Sequence, residues 1–249
     1  MSNERLRTAL VKSGVTPQEL SEHLEVDPKT IERWVSKDRV PHRRHRLATA
    51  AHLGVDDVFL WPSTETDPRS QSATRAELTD FYPNRGSVPS SRWLELVDSA
   101  IEAIDLLAFS ASFLHDSVSN FDQRLIAKAS EGVPVRLLFG DPDCSAVQLR
   151  GDEEGIGDLV SARCRLTWKY FVEALETPGI DARAHGCTLY ASMFRFDDRL
   201  LVNPHMYGAP ASHSPVHMIT RVDGGRLFAN YLASYERIWS RAEPLAQAS

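Results

Sequence analysis

Apolar residues near the start of the chain recur at helical spacing: Leu6, Ala9, Leu10 and Val11 share one face, and Ser13-Gly14 supplies a stop. Thr16-Pro17-Gln18-Glu19 then reads as a capping box, with proline at the first helical position, where its missing N–H costs nothing. Leu20 and Leu24 turn that second helix inward. Asp27-Pro28 is a new start signal, and it opens a third helix with Ile31, Trp34 and Val35 on its inner face. Two short capped helices joined through Glu25-Val26 predict a helix-turn-helix. A helix from His42 to Leu53 follows Pro41, and VDDVFLWP at 55–62 completes an all-α domain over residues 1–61.

The pattern then changes twice. Residues 62–75, PSTETDPRSQSATR, have almost no apolar content and cannot build a core, so 62–79 is expected to be a linker, with Phe81 and Tyr82 just beyond it preferring burial. From Ser91 onward helical and strand patterns alternate. Trp93 to Ile104 is an amphipathic helix and LLAFSA a buried strand. Phe121 to Ala129 is a helix stopped by Gly132, and Val133 to Gly140 a second strand. A long helix is expected from 154 to 175. Strands follow around 182–185, 189–196, 200–203 and 216–221, before a closing helix from Leu227 to Ala242. This order predicts an α/β domain with parallel strands over residues 80–249, hence a multidomain chain.

Charge assigns the first domain a partner. The 249-residue chain is acidic overall, at −6, yet residues 29–46 hold seven basic residues against two acidic ones. One basic segment on an acidic protein is what a single phosphate-facing surface requires, and the partner implied is double-stranded DNA. On the third helix Pro28, Lys29, Thr30, Arg33 and Lys37 point away from Ile31 and Trp34, where a recognition helix presents side chains to the major groove. With no apolar leader and no long apolar run, the chain is expected in the cytoplasm, without a membrane partner. Cys144, Cys164 and Cys187 form no CxxC pair and are expected to be buried thiols. His213 and His217 have zinc-like spacing, but Pro215 between them breaks the helix such a site would need, so neither metal nor cofactor is expected.

The run TPQELSEHLEVDPKTIERWVSKDRVP, followed by LATAAHLGVDDVFLWP, resembles the Cro and phage-repressor (XRE-type) helix-turn-helix of bacterial regulators. The resemblance implies base contacts from Lys29, Thr30 and Arg33 and phosphate contacts from Gln18, Lys37, Arg39 and Arg43. Two positions depart from it. Lys37-Asp38 stands where a turn glycine is usual, and Pro17 where a phosphate-binding glutamine is common. The second half resembles the phospholipase D-like superfamily, in the form fused to repressor-type heads, through AIEAIDLLAFSASFL, KASEGVPVRLLFGDPD and TLYASMFRFDDRLLVNPHMYG.

Active members of that superfamily need HxK followed by an aspartate, with histidine as nucleophile and lysine stabilising phosphoryl charge. Setting Asp197 on that aspartate puts Tyr190 where histidine belongs and Ser192 where lysine belongs. No histidine in the chain has lysine two residues later. The domain is therefore expected not to be an enzyme. Tyr190, Ser192, Arg195, Asp197, Asn203 and His205 are expected either to line a pocket for a small-molecule effector or simply to face water as an edge strand and turn. The whole reads as a transcriptional regulator that pairs as a homodimer through its second domain. A nuclease or phosphodiesterase using His205 or Tyr190, and a DNA-anchored adaptor for another protein, are the alternatives.

Overall fold

The computed structural model describes residues 2–64 and 68–245, and the chain divides into two compact units, Met1–Arg75 and Ala76–Ser249. The described part of the first unit contains helices and turns alone. α1 (Glu4–Ser13) starts at Asn3, whose side chain accepts from the Leu6 N–H and donates to the Leu60 carbonyl at 2.8 Å, tying the start of the unit to its far end. Gly14, at φ +65°, ends it in the left-handed conformation. α2 (Pro17–His23) carries the full capping box: the Glu19 N–H donates to Thr16 Oγ1, and the Thr16 N–H to the Glu19 carboxylate. α3 (Pro28–Ser36) is capped by Asp27, whose carboxylate accepts from the Lys29 N–H. Between them Glu25 takes φ +53°, the left-handed corner that turns the chain from one helix to the next. α4 (Arg43–Leu53) and α5 (Asp57–Leu60) close a core of Leu6, Leu10, Leu20, Ile31, Trp34, Leu60 and Trp61.

The segment 62–79, expected to be a linker, contains regular structure. Pro62–Thr64 forms a 3-10 turn, Pro68–Ala76 forms α6, and a strand, β1 (Leu78–Tyr82), has begun by its end. α6 buries none of its residues, so no apolar stripe announces it in the sequence. Residues 65–67 of that stretch lie outside the described residues.

The second unit continues with α7 (Ser90–Ser99), β2 (Ile104–Ala108), α8 (Ser112–Ser117), α9 (Phe121–Ser130), β3 (Val135–Gly140), α10 (Ser145–Glu153), α11 (Leu159–Tyr170), α12 (Val172–Leu175), β4 (Ile180–His185), β5 (Ala191–Phe196), β6 (Arg199–Pro204), β7 (Val216–Thr220), α13 (Leu227–Trp239) and β8 (Glu243–Pro244). The eight strands form one sheet in the order β1-β7-β6-β5-β2-β3-β4-β8. β2, β3 and β4 are parallel, while β5, β6, β7 and β1 run antiparallel, so the sheet is mixed rather than parallel. The reason is local. β5 and β6 are joined by Asp197-Asp198 alone, and a strand that returns through so tight a turn must run antiparallel to its predecessor, whereas β2, β3 and β4 are joined through helices.

Alternation along the strands builds two cores, one on each face. Leu106, Phe139, Phe194, Phe196 and Leu201 pack under α7 and α9, and Leu107, Leu138, Met193, Val202 and Ile219 pack under α11 and α13. At the centre Asp105 of β2, 2% exposed, stands directly opposite Arg136 of β3 and Arg195 of β5 and accepts from both, at 2.6 and 2.8 Å.

Three further expectations are corrected. The helix expected over 154–175 begins only at Leu159, because Gly155 and Gly157 take positive φ and turn the chain sharply after α10, and it is broken at Phe171 into α11 and α12. Phe81, on the edge strand, is half exposed rather than buried. Of the cysteines Cys164 is buried, but Cys144 and Cys187 are partly exposed, and all three are free thiols.

Gly151 of α10 packs directly on the Gly157 carbonyl, so a Cβ there would enter the van der Waals envelope of a backbone oxygen that cannot swing aside. Gly151→Ala should lower stability by roughly 1–3 kcal/mol in urea unfolding, the range for overpacking a close contact. An unchanged midpoint would show that the turn at 154–158 yields freely.

Candidate functional site: an arginine-lined cavity at the strand ends

Antiparallel pairing brings three chain ends together at one edge of the sheet. β2 runs out at Ala108, β5 enters beside it at Ala191, and β6 leaves beside β5 at Pro204. Outside the carboxyl end of a parallel strand, where the connections diverge, an open α/β sheet leaves a crevice. Here it is a cavity of about 330 Å³, floored by Ser192 and His205, flanked by Phe109 and Phe113, and reached by Arg85, Arg150 and Arg163.

Strand period decides which side chains reach it. On β5, Ser192 shares a face with Phe194 and Phe196, while Met193 and Arg195 point to the other. Ser192 is 2% exposed, and its Oγ lies 3.0 Å from His205 Nε2. His205 Nδ1 lies 3.0 Å from the Leu189 carbonyl, which can only accept, so Nδ1 carries the proton. In the neutral ring Nε2 is then an acceptor, and the Ser192 hydroxyl donates to it. Burial, together with Arg150, lowers the His205 pKa to about 4, outweighing the Leu189 hydrogen bond that favours the charged ring. The imidazole is therefore neutral at pH 7, lying 26° from parallel with the Phe109 ring.

The three arginines differ in how they are satisfied. Arg150 is ion-paired with Glu154 at 2.6 Å and donates to the Ala209 carbonyl at 2.7 Å, so it holds the loop after β6 in place. Arg85 lies over the Phe113 ring at 3.9 Å, and burial and the neighbouring Arg163 bring its pKa down to about 10. It remains a cation. Among the described residues neither Arg85 nor Arg163 has an ion-pair partner. Glu154 is turned to Arg150, and Asp116 also lines the wall. The cavity is thus electropositive, with hydrogen-bond capacity at its base and aromatic sides.

Of the six residues named from sequence, the structure brings only Ser192 and His205 into this cavity. Tyr190 precedes β5 and is 83% exposed, at the rim of a different depression beside α13. Arg195 faces the opposite side of the sheet, bound to Asp105 and to the Asp197 carbonyl. Asp197, at φ +56°, holds the β5–β6 turn against the start of β2 by accepting from the N–H groups of Ile101, Glu102 and Ala103. Asn203 is fully buried and donates to the Ser214 and Pro215 carbonyls. His217 lies on β7 and His213 on a 3-10 turn, and among the described residues no cluster of three or more His, Cys, Asp or Glu could hold a metal ion. Arg85, Phe109, Phe113 and Arg163 were missed by sequence reasoning because they come from three separate segments. Period-two alternation alone would have separated Ser192 from Arg195.

In the first unit Lys29, Arg33, Lys37 and Arg39 are exposed and Thr30 half-buried on the face of α3 and the turn after it, away from Ile31 and Trp34. Arg43 at the start of α4 is half-buried, and the exposed Gln18 amide donates to Glu22 at 2.8 Å.

Similarity to known proteins is structural only. No protein-family model and no curated protein matches the chain. Among solved structures it is similar to the phospholipase D family member Nuc from Salmonella typhimurium (17% identity, TM-score 0.38, 66% of this chain and 94% of that one). TrmBL2, an archaeal chromatin protein whose structure shows a novel mode of DNA binding, covers more (15% identity, TM-score 0.46, 98% and 93%). NucT from Helicobacter pylori is similar at 10% identity and TM-score 0.42, over 67% of this chain and 98% of that one. The expectation that the larger unit is not an enzyme is corrected. The missing HxK lysine excludes only the chemistry of that motif. Ser192 and His205 form a hydroxyl–imidazole pair that the motif comparison did not foresee.

Asp197 gives this site a testable support. Burial raises its pKa, but three backbone donors and Arg195 outweigh that and hold it below the usual aspartate value. Asp197→Ala should cost about 1–3 kcal/mol in urea unfolding, the scale of hydrogen bonds to a charged acceptor. A lowered native pKa means the contribution is complete above the ordinary value of 3.8 and is lost as pH falls through the native one. The gap between wild type and variant should therefore close only below about pH 4. A gap that is constant down to pH 2 would show that the carboxylate charge is not what the turn uses.

Proposed function

We propose that the protein is a sequence-specific, double-stranded DNA-binding transcriptional regulator. In this reading residues 1–61 are a helix-turn-helix head of the XRE type, and the larger unit is a dimerising domain that senses a small molecule through its arginine-lined cavity. The observation that carries it is the capped pair α2–α3, with Lys29, Thr30 and Arg33 together on the face of α3 turned away from the buried Ile31 and Trp34. The concentration of positive charge between residues 29 and 46 of an acidic chain supports the same partner. A homodimer follows from the recognition argument, since one short head buries little DNA surface and a two-fold pair reads two half-sites a helical turn apart.

One observation favours a second reading. A serine hydroxyl donating to a neutral imidazole, beside two arginines with no ion-pair partner among the described residues, is an arrangement that can attack a phosphodiester. Purified protein and its Ser192→Ala variant on plasmid and on a generic phosphodiester substrate separate the two. Serine-dependent turnover supports a hydrolase, and its absence at high enzyme concentration supports the regulator.

The DNA reading is tested by two variants on a duplex selected from a random pool and on a scrambled duplex. Arg33→Ala should weaken the selected duplex by roughly 1–3 kcal/mol while changing the scrambled one far less. Arg43→Ala, assigned to phosphate, should weaken both about equally and reduce the salt slope by about one. Equal loss on both duplexes for Arg33→Ala, with an intact circular dichroism spectrum, would overturn the assignment of α3. A monomer by light scattering, with and without DNA, would overturn the dimer.

A further inference from the structure

The cavity of the second unit contains a hydrogen bond that points the wrong way for the charge around it. The Ser192 hydroxyl, at the base of an electropositive space, spends its proton on His205 Nε2, and His205 Nδ1 spends its own on the Leu189 carbonyl. Neither offers a donor to the interior. Yet Arg85 and Arg163 reach the same cavity with no ion-pair partner among the described residues, while Arg150 is ion-paired with Glu154. Arg163 stands close enough to lower the Arg85 pKa beyond what burial does, and an anion between the two would relieve that repulsion.

We propose that the cavity binds a small oxyanion together with one proton, the proton being taken up by Nε2 of His205. Uptake turns Nε2 into a donor and frees the Ser192 hydroxyl to rotate toward the anion. The proton moves from solvent to Nε2, no covalent bond is made or broken, and every polar group at the base of the cavity becomes a donor. The groups facing His205 decide the sense of the coupling. Burial disfavours the imidazolium most, Arg150 next and Arg85 least, Arg163 acts on Arg85, and Asp116 and Glu154 are the acidic groups of the wall. In the empty cavity burial and the arginines prevail over the Leu189 hydrogen bond, and the ring stays neutral down to about pH 4. An anion against Arg85 offsets its repulsion, adds an attraction for the imidazolium and raises the ring's pKa. The linkage sign is then fixed: affinity rises as pH falls, from the pKa of the occupied state down to that of the empty one, and is flat above. Phe109 and Phe113 on the walls suit the oxyanion of a small aromatic or otherwise apolar acid as well as a free ion.

This inference rests on the cavity being a ligand pocket, and it is independent of whether α3 reads DNA. The test uses the full chain, with sulfate as probe because its charge is constant above pH 4, against chloride at matched ionic strength. Binding is followed by the His205 ring resonance and by the melting temperature. Wild type should bind sulfate about tenfold more tightly for each pH unit lowered within the linkage window, and sulfate should shift the His205 titration upward. His205→Asn should bind with no such pH dependence. Arg85→Met, which keeps the packing on Phe113, should lose sulfate at least about tenfold, as expected for loss of a charge-assisted pair. Phenyl sulfate binding more tightly than sulfate assigns the oxyanion to a larger acid, and equal binding assigns it to the free ion. Equal sulfate affinity at pH 5 and pH 8, an unmoved His205 resonance, or wild-type binding by a folded Arg85→Met would each overturn the proposal. Loss of DNA selectivity in Arg33→Ala bears on the head alone, so the two readings fail separately.

Discussion

The second unit depends on one carboxylate. Asp105 sits in the most central strand pairings, 2% exposed, and holds Arg136 on one neighbour and Arg195 on the other, each at the residue directly opposite. A buried ion pair adds little net stability against an apolar alternative, but it is costly to break, so its value here is to specify register. A slip of one residue on β3 or β5 would leave the carboxylate unpaired and send every side chain of that strand to the opposite face. Arg136 continues the network outward to Glu236 at 2.7 Å and lies over the rings of Tyr235 and Trp239, which docks α13 on the same face.

The cavity follows from that register. With Arg195 committed to Asp105, the alternate face of β5 belongs to Ser192, Phe194 and Phe196, and the crevice at the strand ends receives a hydroxyl rather than a guanidinium. Its positive charge comes instead from Arg85, Arg150 and Arg163, contributed by a turn and two helices that pack over the crevice. The two units thus carry their cations in different settings. Lys29, Arg33, Lys37 and Arg39 are exposed around α3, where polyanion contact is long-range and salt-dependent, whereas Arg85 is enclosed, where a single anion is weakly screened.

Legibility in the sequence tracked the range of the interactions. The caps at Thr16 and Asp27, and the core positions Ile31 and Trp34, were readable because each is set by residues within one helical turn. Strands β3, β5, β6 and β7 were readable from apolar runs, but their directions were not, since direction depends on which strand each meets. β1 escaped because an edge strand with a half-exposed Leu78 and Phe81 has no buried face to imprint a pattern. The polar cluster from Tyr190 to His205 was visible as a cluster, yet its members serve five ends: Ser192 and His205 face the cavity, Tyr190 the depression beside α13, Arg195 the central carboxylate, Asp197 a turn and Asn203 a buried loop. Sequence proximity placed them in one site, and strand alternation separated them.

In the proposed function the head meets DNA through α3. Amide hydrogen exchange of the full chain with and without a duplex selected from a random pool tests it most directly. Slowed exchange should concentrate at residues 16–18 and 27–39, with the strands of the larger unit unaffected. Unchanged exchange at 27–39, with protection confined to the larger unit at saturating DNA, would contradict it.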